Sequence, residues 1–125
     1  MYSKFLIALS LVNGMSLVGA EKFAWAHAYP AVSSPANNAT LREAPREVRI
    51  QFTEGLEIAF SQITVKAQSG DVVSQGKLRQ LADDTVAIDL KPLASGSYAI
   101  EWQVLSVDTH VTEGVLRFSV STGKK

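Results

Sequence analysis

Two histidines carry the metal chemistry open to this chain, His27 and His110. His110 closes the run Ser106-Val107-Asp108-Thr109-His110, so a carboxylate stands two residues before it. In extended backbone, residues two apart share a side. An Asp-x-His pair on a strand end would clamp a metal ion or act as a general base, although alone such a pair is a weak motif. His27 changes its weight. If the chain is cut after Ala26, His27 becomes the first residue, and its α-amine and imidazole close a chelate ring on one ion. An amine nitrogen with imidazole nitrogens is a preferred donor set for Cu(II) in tetragonal geometry. His110 adds the third nitrogen, and Asp108 an oxygen that offsets the ion's charge. The histidines lie 83 positions apart (110 minus 27), so only a folded chain brings them together and binding must be linked to folding.

The cut is suggested by residues 1–26. Lys4 precedes an apolar run from Phe5 to Val12, Asn13 and Gly14 interrupt it, and Met15 to Ala20 continue it. A short cationic start, a short apolar core and small residues beyond it mark a secretory signal peptide. The run is short for a membrane span, which needs about 20 mostly apolar residues. A retained N-terminal anchor is the alternative. Small-x-small sites stand at Val18-Gly19-Ala20, Ala24-Trp25-Ala26 and Ala26-His27-Ala28, which would free Glu21, His27 or Tyr29. Pattern alone hardly separates them, and the chelate chemistry favours the second. The expected organisation is a signal peptide over 1–26 and one domain over 27–125, with no membrane insertion once the leader is gone.

Composition removes several function classes. Lys plus Arg and Asp plus Glu are 12 each, for a formal charge of zero, which argues against a nucleic-acid binder with a broad basic face. The absence of cysteine excludes a disulfide scaffold, a thiolate metal site and a cysteine nucleophile. Both methionines, Met1 and Met15, fall in the removable segment. The mature chain then offers only nitrogen and oxygen donors, which excludes Cu(I) sites built on soft sulfur. No serine has a G-x-S-x-G setting. Glu54 and Glu57 flank a loop after the first strand and read by themselves as a solvated turn. Asn38-Ala39-Thr40 matches an N-glycosylation acceptor, which matters only in a eukaryotic secretory route.

The elements that must position the histidines read as strands. Residues 30–47 are rich in turn formers. After them Val48, Ile50 and Phe52 alternate with Arg49 and Gln51, and Ile63, Val65 and Ala67 with Thr64 and Lys66. Ser69-Gly70-Asp71 turns the chain into Val72-Val73. Val86, Ile88 and Leu90 alternate next, and Tyr98, Ile100, Trp102 and Val104 form the longest stripe. Leu116, Phe118 and Val120 share one face of the closing segment. Six or seven strands with no convincing helical period predict a small antiparallel sandwich or barrel. Trp102 and Tyr98 are core aromatics in this reading, not a stacking platform.

Several blocks resemble one family. Ala26-His27-Ala28 stands at the cleavage point, and Ser33-Ser34-Pro35-Ala36 follows it. Phe52-Thr53-Glu54-Gly55-Leu56 is similar to an F-S-E-x-L/V block, and Leu93-Ala94-Ser95-Gly96-Ser97-Tyr98 to P-L-x-x-G-x-Y. Trp102 to His110 fits W-x-x-x-S-x-D-x-H, and Gly114 to Val120 the closing strand. Together they resemble the periplasmic copper-resistance family of CopC, PcoC and YobA over nearly the whole mature chain. The resemblance implies an all-β, immunoglobulin-like Greek-key barrel or sandwich of six to seven antiparallel strands. It implies a monomeric periplasmic protein that binds copper. The implied Cu(II) ligands are the amine and ring of His27, then His110, with Asp108 nearby and Glu54 close to the same site. It also implies delivery to a CopD-type inner-membrane copper transporter. Some relatives carry a methionine-rich Cu(I) loop, and this chain departs there, with no methionine after Met15.

A carrier or sequestering protein, not an enzyme, is therefore expected. The rivals are a histidine-brace oxidase resembling lytic polysaccharide monooxygenases and an adhesion or assembly sandwich with incidental histidines. The oxidase would need open copper positions and a flat aromatic substrate face, which Asp108 and the few aromatics outside the expected core disfavour.

Overall fold

The computed structural model describes residues 27–123, and the expected signal peptide lies outside the described residues. Eight strands form: β1 (Pro30–Ser34), β2 (Ala39–Leu41), β3 (Glu47–Phe52), β4 (Gln62–Ala67), β5 (Ser74–Ala82), β6 (Thr85–Leu90), β7 (Gly96–Leu105) and β8 (Val111–Val120). A 3-10 turn, Ile58–Phe60, leads into β4. One sheet runs β1-β3-β6-β5, the other β2-β8-β7-β4. Strand pairs are antiparallel except β2, which lies parallel to β8. The architecture is an immunoglobulin-like sandwich.

Alternation decides which faces meet. Val48, Ile50 and Phe52 of β3 and Val86, Ile88 and Leu90 of β6 point inward from the first sheet. Ile63 and Val65 of β4, and Tyr98, Ile100, Trp102 and Val104 of β7, meet them from the second. Phe52 and Trp102 contact edge to face across the layers, with ring centroids 5.5 Å apart, and Tyr98 stacks on Phe118 at 5.2 Å. Gly114 of β8 is paired with Trp102, and a Cβ there would stand 2.7 Å from the indole Cζ2. The missing side chain is the space the indole occupies. Both Trp102 and Tyr98 are buried, as the strand pattern predicts.

The strand count differs from the six or seven predicted, and so does the orientation of β2. β1 and β2 lie inside the turn-rich stretch. β1 is an edge strand that tolerates Pro30 at its first position, and β2 has three residues. β5 carries the sequence SQGKLRQLA with most side chains in solvent, so it has no apolar stripe to read. Val72 and Val73, read as strand, precede β5 and cross instead to β4. Val72 bridges Lys66, and the Val73 N–H donates to Val65 O at 2.8 Å, which joins the two sheets at one corner.

The topology sends particular residues to one end of the sandwich. β3, β5 and β7 finish there, and β1, β4, β6 and β8 start there. His27, the Thr53–Leu56 loop and the Ser106–His110 turn consequently meet at that end.

Candidate metal centre

The Ser106–His110 turn owes its shape to one buried hydroxyl. Ser106 has no exposed surface. Its hydroxyl donates to Asp108 Oδ1 and to His110 O at 3.3 Å, and accepts from the His110 N–H at 3.3 Å. Its own N–H donates to His110 O at 2.9 Å, and the Thr109 N–H returns to Ser106 O at 2.9 Å. Thr109 takes a left-handed φ of 71° between the two candidate ligands, an uncommon conformation for a β-branched residue. Asp108 and His110 thus lie in a tight turn and not on the extended strand end that their spacing suggested. The i, i+2 rule of strands does not apply to them; the turn brings them together instead. Asp108 Oδ1 stands 3.3 Å from His110 Nδ1.

This contact has a chemical consequence. A carboxylate beside Nδ1 favours the tautomer protonated there, which leaves Nε2 with the free lone pair. The Ser106 hydroxyl, and after it the His110 ring, hold the Asp108 carboxyl below the usual carboxylate range. Asp108 therefore stays an anion well into mild acid.

His27 reaches the same place from the other end of the sequence. Its ring centroid lies 4.5 Å from that of His110, with the rings tilted by 34°. The segment behind it is held by both sheets: Ala28 is fully buried in the core, and the Thr53 N–H donates to Tyr29 O at 2.9 Å.

Glu54 sits half-buried between two backbone ties. Thr53 binds the N-terminal segment, and Gly55 O accepts from the Val107 N–H at 2.9 Å. Its backbone is therefore placed between the two histidine-bearing segments. No hydrogen bond or ion pair links its carboxylate to either ring among the described residues. Nor do three or more His, Asp or Glu side chains gather there as a finished metal cage. The structure brings two imidazoles together and sets one carboxylate beside the second, donors of nitrogen and oxygen with no soft sulfur among the described residues.

Sequence reading missed Ser106, Thr53 and Thr112 as parts of this end. Ser106 lies inside the W-x-x-x-S-x-D-x-H block and was visible as a fixed spacing. The two threonines carry no signal in type or period.

The family model described as the CopC domain matches residues 31–121. The copper transport protein CutJ of Bacillus subtilis (strain 168) is 37% identical over 107 residues, covering 83% of this chain. This chain spans only 20% of that relative's length. Copper resistance protein C of Xanthomonas campestris pv. juglandis is 33% identical over 109 residues, covering 81% of this chain and 85% of that protein. The crystal structure of CopC from Methylosinus trichosporium OB3b superposes with a TM-score of 0.73 at 29% identity, covering 79% of this chain and 98% of that one.

Proposed function

The chain is a member of the CopC family of copper resistance and transport proteins, and from that premise we propose that it holds Cu(II) between His27 and His110 as a periplasmic carrier. The observation that carries this reading is the 4.5 Å approach of two imidazoles supplied from opposite ends of the sequence, with Asp108 beside one of them. Cleavage after Ala26 completes the donor set by freeing the His27 α-amine. Three nitrogens then face one ion, and Asp108 supplies negative charge next to them. Glu54, on the loop between the two histidine-bearing segments, adds a second acidic group near the mouth.

Copper is cargo here, not a resident catalyst. The chain's own residues bind and release it, and no reaction on a substrate is assigned to them. His110 is turned by its contact with Asp108, and Asp108 by Ser106, so the ligands are oriented before the ion arrives. Protons leave the nitrogens on binding, so acidification favours release. Delivery to a CopD-type membrane transporter fits the Bacillus relative, a longer chain named as a copper transport protein of which the matching part is a fifth.

Export is part of the proposal, because the amine exists as a ligand only after the leader is removed. Titration of the exported protein with Cu(II), followed by electron paramagnetic resonance, tests the reading. One equivalent should bind with nitrogen hyperfine structure. A Cu(I)-specific chelator should strip the reduced metal. Tight retention of Cu(I) against that chelator would refute the donor set.

A further inference from the structure

The three residues His27–Tyr29 cross the open end of the sandwich, and two threonines hold them there. Thr53, the residue after β3, donates its hydroxyl to His27 O at 3.1 Å and accepts from the Tyr29 N–H at 3.0 Å. Its N–H also donates to Tyr29 O at 2.9 Å. From the opposite sheet, Thr112 of β8 donates its hydroxyl to Ala28 O at 2.5 Å. Thr112 is buried, so this hydrogen bond is shielded from water, and the Ala28 methyl fills core beside it. Three consecutive residues are thus gripped alternately: His27 by one sheet, Ala28 by the other, Tyr29 by the first again.

Chain ends fray unless something ties them down. An untied His27 ring would sample many positions, and its affinity for any ion shared with His110 would fall by the fraction of time spent in the competent one. We propose that Thr53 and Thr112 are positioning residues, whose hydroxyls clamp the His27–Tyr29 backbone from opposite sheets and hold the His27 ring against His110 before metal arrives. The clamp belongs to the metal-free protein. Only its effect on Cu(II) affinity rests on the copper reading.

The test uses the exported protein and the near-isosteric variants Thr53→Val and Thr112→Val, with Thr53→Ser and Thr112→Ser as rescues. In the metal-free protein, nuclear Overhauser contacts should connect the two imidazole rings. Both valine variants should weaken them and both serine variants restore them. The Tyr29 amide, bonded to the Thr53 hydroxyl, should exchange at least about tenfold faster in Thr53→Val. Each valine variant should bind Cu(II) about five- to tenfold more weakly, the value of one hydrogen bond, and the serine variants within about twofold of wild type. A merely structural role would lower the Tm and leave the ring contacts and the affinity of the folded protein unchanged, and that result overturns the proposal. If Thr112→Val does not fold, Thr53→Val at the more exposed hydroxyl decides the matter alone. If the wild type binds no Cu(II), the copper reading fails, while the ring contacts and the Tyr29 amide still judge the clamp.

Discussion

At one end of the sandwich the loops and strand ends carry both histidines and a collection of acids; at the other they carry most of the loop arginines and lysines. Glu54, Glu57, Asp83, Asp84, Asp108 and Glu113 stand at the histidine end, with no lysine or arginine among the described residues there. Arg42, Arg46, Lys91 and Arg117 belong to the opposite half. The far half also holds Glu43, Glu47, Asp71 and Asp89, so its charges are mixed, whereas those at the histidine end are of one sign. The acidic end raises the local concentration of cations and steers them toward the imidazoles. The ends also differ in how much apolar surface they expose. The far end is sealed by backbone bonds between strands and loops, such as Ser121 N–H to Leu41 O at 2.8 Å and Leu90 N–H to Arg46 O at 2.9 Å. The histidine end has backbone bonds of the same kind, such as Leu56 N–H to Asp83 O at 2.8 Å, but leaves Tyr29, Phe60, Leu81, Val107 and Val111 exposed. The core runs through both halves, but both histidines and most of the exposed large apolar side chains lie in one of them.

The largest effects should separate the two halves most cleanly. Phe118→Ala removes the ring stacked on Tyr98 from the far half and should cost about 3–5 kcal/mol of stability by thermal or urea unfolding. At a temperature where it remains folded, its Cu(II) affinity should stay within about twofold of wild type. His110→Ala should do the reverse. Its side chain is exposed, so the Tm should barely move, while affinity in a calorimetric titration should fall by at least about a hundredfold. If either variant changes both properties equally, the division between the ends is wrong.

Intermediate effects sharpen the boundary. Gly114→Ala forces a methyl into the Trp102 indole and should destabilise by about 1–3 kcal/mol, with near-ultraviolet circular dichroism reporting the displaced tryptophan. Asp108→Asn keeps the shape of the turn but removes its charge. It should leave the fold intact and lower Cu(II) affinity about tenfold.

The smallest effect belongs to the far half and depends on pH. Arg79, with Arg49 beside it, holds the Glu47 carboxyl below its ordinary value of about 4.3. A depressed native value means stability that is present above the unfolded value and lost as pH falls through the native one. Glu47→Gln should thus show a flatter Tm profile below about pH 4.5, differing from wild type by no more than a few degrees at neutral pH, since the pair is exposed. Cu(II) affinity should not follow it.

The parts legible in the sequence were those written as period. Val48, Ile50 and Phe52, or Tyr98 to Val104, are buried at every second position, and such strands need no tertiary information to be read. β8 was legible only from Val115 onward, because its inward residues before that are Thr112 and Gly114, a hydrogen-bonding hydroxyl and an empty space for Trp102. β5 shows its core only Leu78 and Ser74 in part, so an edge strand passes for a loop. At the candidate site, the donor types could be read from His27, Asp108 and His110, but their convergence was implied only by the family resemblance and not by spacing. It depends on an 83-residue separation closed by the fold and on a turn with Thr109 in a left-handed conformation. The hydroxyls of Ser106, Thr53 and Thr112 act as struts at single points, and a single point has no period.

In the proposed site His27 acts as a chain terminus, with its α-amine as a ligand. This role is tested most directly by comparing Cu(II) binding, with paramagnetic resonance spectra, of the protein beginning at His27 and of the same protein retaining Ala26 before it. The first protein should hold one Cu(II) tightly through amine and imidazole nitrogens, and the second should bind it more weakly by orders of magnitude with an altered spectrum. Equal affinity and identical spectra would show that the α-amine is not a ligand and would overturn the proposed site.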